Sequence, residues 1–153
     1  MKEISLNCFL ILFSNTTYTQ NNTDFSMTFN HIALSVKNLE QSANFYKNTL
    51  NLKEITNKTK KDSRRWLSLG DGKELHLISD FEGAIVVTKA VHMALTTSNF
   101  DSFIDKLKSM HIKYADWEGN QNIISIRADG IRQVFFQDPD GYWIEVNSVG
   151  QTN

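Results

Sequence analysis

The first chemical signal in this chain of 153 residues is the spacing of its histidines and one acid. The run His31-Ile-Ala-Leu-Ser-Val-Lys-Asn38-Leu-Glu40 aligns without gaps to His92-Met-Ala-Leu-Thr-Thr-Ser-Asn99-Phe-Asp101, an offset of 61 residues. A second pair, Asp71-Gly-Lys-Glu-Leu-His76-Leu and Asp140-Gly-Tyr-Trp-Ile-Glu145-Val, repeats at an offset of 69. His31 is therefore equivalent to His92, and His76 to Glu145. Three imidazoles and one carboxylate suit a divalent metal ion (Zn, Ni, Fe, Co or Mn), being too hard a set for Cu(I) and too poor in oxygen for Ca. Four protein ligands around an octahedral ion leave two positions for water or substrate, as Lewis-acid catalysis requires. A lone strand histidine is more often a satisfied surface or core residue, so the reading rests on the matched placement of all four. His111 has no repeat partner and reads as a surface residue.

For four such side chains to meet, the repeat must place them on one face. Each unit opens with a short apolar stretch of strand length, residues 31–36 and 92–96. Asn38 and Asn99 then supply helix N-caps, and Gln41 completes a capping box. Leu39, Ala43, Tyr46 and Leu50 form the apolar stripe of a first helix, and Phe100, Phe103, Ile104, Leu107 and Met110 that of a second. Strand candidates follow at 53–57, 65–69 and 74–78, then at 113–117, at 123–127 with 133–137, and at 143–146. Asp71-Gly72, Asp129-Gly130 and Asp140-Gly141 mark turns between them. The expected fold is α+β, two βαβββ modules over residues 28–84 and 89–148, forming one domain over 28–148. Alternation along the strands turns Leu75, Leu77, Ile144 and Val146 toward the helices, which leaves Glu74, His76, Trp143 and Glu145 on the open face with His31 and His92. Trp66 and Phe135, also repeat-equivalent, read as core residues or cavity walls. Arg64, Arg65, Arg127 and Arg132 read as solvated strand edges or as holders of an anionic substrate. Asp138-Pro139-Asp140-Gly141 reads as a turn without chemistry.

Composition narrows the function classes. With 41% hydrophobic and 22% charged residues the chain has the makeup of a soluble globular protein, and its formal net charge of -1 gives no field to collect nucleic acid or an anionic membrane. A single cysteine, Cys8, excludes an intramolecular disulfide and a zinc ribbon. At the N-terminus, Lys2 precedes an apolar run ending at Phe13, too short to span a bilayer but suited to a secretory signal over residues 1–22. The expected location is therefore periplasmic or secreted, or cytoplasmic if the signal is not used.

Taken together, His31-Ile-Ala-Leu-Ser-Val with Leu39 to Tyr46, His92-Met-Ala-Leu, and Phe135-Phe-Gln-Asp-Pro-Asp-Gly-Tyr-Trp-Ile-Glu145 resemble the vicinal oxygen chelate superfamily. It includes glyoxalase I, extradiol dioxygenases, methylmalonyl-CoA epimerase and bleomycin-binding proteins. The resemblance covers about residues 28–148. It implies a paired βαβββ fold curled around a metal, with His31, His92 and Glu145 at ligand positions. The remaining position is a Glu in glyoxalase I. Here the repeat points to His76, with Glu74 on the same face as the other candidate.

The leading functional expectation is a metal-dependent lyase or isomerase of glyoxalase type, whose substrate chelates the ion through two neighbouring oxygens while Glu145 or Glu74 moves a proton. Alternatives are an Fe(II) extradiol-type dioxygenase, in which His76 would crowd the open positions, and a non-catalytic binding or resistance protein, which export would favour. The expected partners are a small-molecule substrate and a second copy of the chain, with neither nucleic acid nor, in the mature form, a membrane. Glu74 lies about 6.6 Å beyond His76 along its strand. His76→Ala is thus expected to weaken metal affinity, and Glu74→Ala to affect turnover at most.

Overall fold

Two asparagine side chains start the two helices. Asn38 Oδ1 accepts from Gln41 N at 3.0 Å to open α1 (Leu39–Leu50), and Asn99 Oδ1 accepts from Ser102 N at 3.1 Å to open α2 (Phe100–Ser109). The computed structural model describes residues 25–150, so the expected export signal lies outside the described residues. Among those residues no helix is long and apolar enough to cross a membrane. The strands are β1 (His31–Ser35), β2 (Lys53–Ile55), β3 (Arg64–Gly70), β4 (Lys73–Ile78), β5 (His92–Thr96), β6 (Ser125–Ile126), β7 (Arg132–Gln137) and β8 (Trp143–Asn147). They form two four-stranded sheets, β1-β4-β3-β2 and β5-β8-β7-β6. In each sheet the first and last strands of the module pair in parallel and the other pairs are antiparallel. The βαβββ repeat is thus present twice, but as two separate sheets not closed into a barrel rather than one curled sheet.

One expected strand does not form. Residues 113–117 contribute only bridges from Ala115 to Gln121 and Phe135. Asp116 is the reason: its Oδ1 accepts from Gly119 N and Asn120 N at 2.8 and 2.7 Å, and this turn pulls the chain off the sheet after one paired residue.

Leu67, Leu75 and Leu77 of the first sheet, and Val134, Phe136, Ile144 and Val146 of the second, lie in one continuous core. Ala43, Tyr46, Phe100, Ile104 and Leu107 of the helices fill it. Each fully buried large side chain contributes about 1.5–3 kcal/mol. Both sheets therefore turn one face to this shared core, and their other faces point away from it.

The Asp138-Pro139-Asp140-Gly141 turn does more than reverse the chain. Asp140 accepts from Lys37 N at 2.9 Å and from Ser42 Oγ at 2.7 Å, and Asp138 accepts from the Tyr46 hydroxyl at 2.8 Å. Backbone N–H groups of Asp140 and Tyr142 hold the other Asp138 oxygen. The second module thus grips the first at the start of its helix. Burial, with the charge of Asp138 beside it, pushes the Tyr46 hydroxyl far above the usual tyrosine range. Burial also raises Asp138, although the Tyr46 hydrogen bond opposes the shift. Asp71, the repeat equivalent of Asp140, sits in an exposed turn and makes no side-chain hydrogen bond among the described residues.

Candidate metal centre

On the second sheet, register places Glu145 beside Ala94 and Trp143 beside His92. His92 Nε2 nevertheless lies 3.3 Å from Glu145 Oε2. His92 Nδ1 is 2.9 Å from the Lys89 carbonyl oxygen, which can only accept, so Nδ1 carries the proton. In a neutral ring Nε2 is then a bare acceptor facing a carboxylate oxygen. Two acceptors hold that separation comfortably only with a cation between them or with the ring doubly protonated. Donors each about 2.1 Å from one ion, at right or tetrahedral angles, stand about 3.0–3.4 Å apart, so the pair fits a divalent ion. Asn147 Nδ2 donates to Glu145 Oε1 at 2.7 Å and fixes the carboxylate from behind. Phe135 meets the His92 ring edge-on at 5.5 Å.

Lys89 was silent in the sequence. Its ammonium donates to the carbonyls of Asp116 and Trp117 at 3.0 and 2.9 Å and lies 4.6 Å from the ring centre of Trp143, with Trp117 and Phe135 also around it. Cation–π attraction of this kind holds the linker against the open face.

The first sheet arranges its residues differently. His31 pairs in register with Glu74, and Ala33 with His76. Together with Trp66 beside His76 and Phe135 beside Glu145, this register confirms that His76 and Glu145 occupy corresponding points of the two modules. Trp66 stacks on His76 at 4.0 Å and His76 stacks on His31 at 4.3 Å, with interplanar angles of 7° and 16°. His76 Nε2 donates to Glu74 Oε2 at 2.7 Å, so the carboxylate reaches back across the strand spacing that was expected to separate the two. His31 Nδ1 lies 2.7 Å from Asn30 Oδ1, which leaves its Nε2 for another partner. An imidazole binds metal in the plane of its ring, and two stacked rings have no common point in their planes nearby. His76 as placed is therefore a partner of Glu74 rather than a fellow donor with His31.

The four predicted donors are thus brought together as two pairs, His31 with His76 and His92 with Glu145. Among the described residues no group of three or more His, Cys, Asp or Glu side chains is placed to hold one ion. The two pairs stand on faces that both point away from the shared core. The arginines proposed as anion holders are engaged elsewhere: Arg64 with Asp80, Arg65 with Glu40 and Glu54, Arg127 with Asp129, and Arg132 with Asp101. His111 is exposed at the end of α2, in the left-handed region with φ 54°.

A profile of the Glyoxalase/Bleomycin resistance protein/Dioxygenase superfamily matches residues 28–146. The chain belongs to this superfamily. Among curated relatives, YwbC of Bacillus subtilis (strain 168) is 28% identical over 121 residues, covering 75% of this chain and 92% of YwbC. Among solved structures, a glyoxalase family protein from Bacillus anthracis superposes with a TM-score of 0.66 at 22% identity, covering 82% of this chain and 97% of that one. The oxidase ChaP-H2 superposes with a TM-score of 0.65 at 19% identity, covering 84% and 98%. These likenesses establish the fold for this superfamily member.

Proposed function

We propose that this superfamily member is a metal-dependent lyase or isomerase of glyoxalase type, acting on a small substrate that offers the ion two neighbouring oxygens. The observation that carries the reading is the His92–Glu145 pair, two acceptors held 3.3 Å apart and each fixed from behind. A bound divalent ion would polarise the substrate oxygens and make a proton on the adjoining carbon easier to remove. His92 and Glu145 would hold it, together with the partner subunit's His31 in a homodimer that sets the first sheet of one chain against the second sheet of the other. Met27 and Phe29 just before β1, and Val86 and Val91 just before β5, are 85%, 56%, 87% and 68% exposed, and such apolar surface supports burial against a second copy. Glu74, oriented by His76, would move the proton, because its Oε1 makes no hydrogen bond among the described residues.

Metal titration tests the donors, and mixing tests the dimer. His92→Ala and His31→Ala chains should each bind poorly alone, while their mixed dimer should recover one site; no recovery would sink the shared arrangement. Export is tested separately by N-terminal sequencing of the natural product, which should begin between about Thr19 and Asp24.

A second reading is favoured by one observation. With His76 drawn toward Glu74, the remaining donors are two imidazoles and one carboxylate, the set used by Fe(II) oxygenases. Oxygen uptake with a catechol after Fe(II) loading, against isomerisation of a methylglyoxal–thiol adduct, separates the two.

A further inference from the structure

Lys89 is held at both ends. Its backbone carbonyl accepts from His92 Nδ1 at 2.9 Å. Its ammonium donates to the carbonyls of Asp116 and Trp117 at 3.0 and 2.9 Å and lies 4.6 Å from the ring centre of Trp143 and 5.7 Å from that of Phe135. Hydrogen bonds from a charged donor are about twice as strong as neutral ones, and the aromatic faces add cation–π attraction. Little else fixes the residue. Within the linker 80–91, the one backbone hydrogen bond among the described residues runs from Val91 N to Thr88 O at 2.9 Å. The loop that receives the ammonium is by contrast tied to itself and to the sheet. Asp116 accepts from Gly119 N, Asn120 N and Asn120 Nδ2, and Ala115 exchanges two backbone hydrogen bonds with Phe135 at 2.9 Å each. The aspartate turn that replaces the expected strand at 113–117 therefore aims two successive carbonyls at one point.

The first module shows what His92 would do without this anchor. His76 donates from Nε2 to Glu74 at 2.7 Å, and none of the described residues bonds its Nδ1. His92 has the same option, with Glu145 Oε2 3.3 Å from its Nε2, and differs in having an acceptor at Nδ1. The hydrogen bond at one ring nitrogen decides the state of the other. We infer that Lys89 is a positioning residue for His92: its clamped ammonium holds its own carbonyl at Nδ1, which keeps the proton there and leaves Nε2 bare toward Glu145. The consequence for a bound ion rests on the proposed metal centre, since a divalent ion needs that bare nitrogen. Thr28, the equivalent of Lys89 at the offset of 61, precedes a ring whose Nδ1 partner is the side chain of Asn30, so the anchor belongs to the second module alone.

Ring-nitrogen chemical shifts of the metal-free full chain read the tautomer directly, at about pH 9, where histidine is ordinarily neutral. His92 should be mainly Nδ1–H in the unaltered chain and mainly Nε2–H in Lys89→Met, the state His76 already has. Lys89→Arg keeps a cation that can donate to both carbonyls and should retain Nδ1–H, while the His76 signals stay constant in all three chains. Lys89 is half-buried in the linker, so neither substitution disturbs the core. Calorimetric titration with Zn²⁺ gives the second readout. Lys89→Met should lose about tenfold in affinity, as expected when an outer partner of a ligand is loosened, and Lys89→Arg should recover most of it. Loss of a positive charge alone would instead strengthen cation binding. An Nε2–H majority in the unaltered chain, an unchanged tautomer in Lys89→Met, no rescue by Lys89→Arg, or a gain of Zn²⁺ affinity in Lys89→Met would overturn the assignment. A tautomer switch in a chain that binds no Zn²⁺ would uphold the role of Lys89 and sink the metal centre.

Discussion

The two open faces descend from one repeated unit and have reached opposite electrostatic solutions. On the first sheet, His76 donates a hydrogen bond to Glu74, a neighbour on the same strand, and is stacked between Trp66 and His31. On the second, His92 and Glu145 come from different strands and each is pinned by a third group, so that two acceptors confront each other. The first face pairs its imidazole with a carboxylate through a hydrogen bond, whereas the second sets a bare ring nitrogen against a carboxylate oxygen. The two modules share the register of their strands and differ in the chemistry of their open faces.

Turnover separates the two faces most strongly. Glu74→Gln should lower it by about 10²–10⁴-fold with metal affinity intact, as expected of a general base. Equal losses of affinity and turnover would make Glu74 a donor and the faces alike. Next comes affinity itself. Removing an outer partner of a metal ligand typically costs about 10–100-fold, so Glu145→Ala should cost at least about 100-fold, Asn147→Ala about tenfold and His76→Ala little. An affinity loss for His76→Ala matching that of Glu145→Ala would restore the four-ligand assignment read from the repeat.

The modules also differ in how they hold each other, and stability measurements sharpen that difference. Tyr46→Phe removes the hydrogen bond to buried Asp138 and should cost about 2 kcal/mol in denaturant unfolding, against almost nothing for Asp71→Asn, which tolerates the left-handed backbone of the exposed counterpart turn. The same pair predicts a pH dependence. Tyr46 keeps its proton in the folded chain well beyond the usual pKa of 10.0, while the unfolded chain releases it there. Stability should therefore be unaffected by Tyr46 below that pH and fall by about 1.4 kcal/mol per pH unit above it, a slope that Tyr46→Phe removes. The smallest expected effect is at Lys89. Lys89→Met should lower stability by about 1 kcal/mol and alter tryptophan fluorescence through Trp117 and Trp143.

Strand alternation and the two offsets were enough to read the faces. Leu75, Leu77, Ile144 and Val146 are buried, Asn38 and Asn99 cap their helices, and His76 corresponds to Glu145. Alternation states which face a side chain occupies but not what that face meets, so the split of the donors into two pairs was beyond it. The short strand expected at 113–117 was lost to an aspartate turn whose partners, Gly119 and Asn120, lie outside any strand pattern. Lys89 and the Asp138 and Asp140 grip act over long sequence separations, where spacing carries no signal. Arg64, Arg65 and Arg132 could be matched to their acids only once the strands and helices were folded together, whereas Arg127 pairs with Asp129 two residues along the chain.

The grip of Asp138 and Asp140 on the first helix also decides what happens if the chain is cut. Residues 80–91 join the modules without helix or strand, and Glu82, Gly83 and Ala84 within them are exposed, so a protease would cleave there first. The two fragments would not drift apart. Lys37, Ser42 and Tyr46 of the first would still be bonded to the turn of the second across a common core. Nicked protein should therefore migrate as one particle under native conditions and as two bands once denatured.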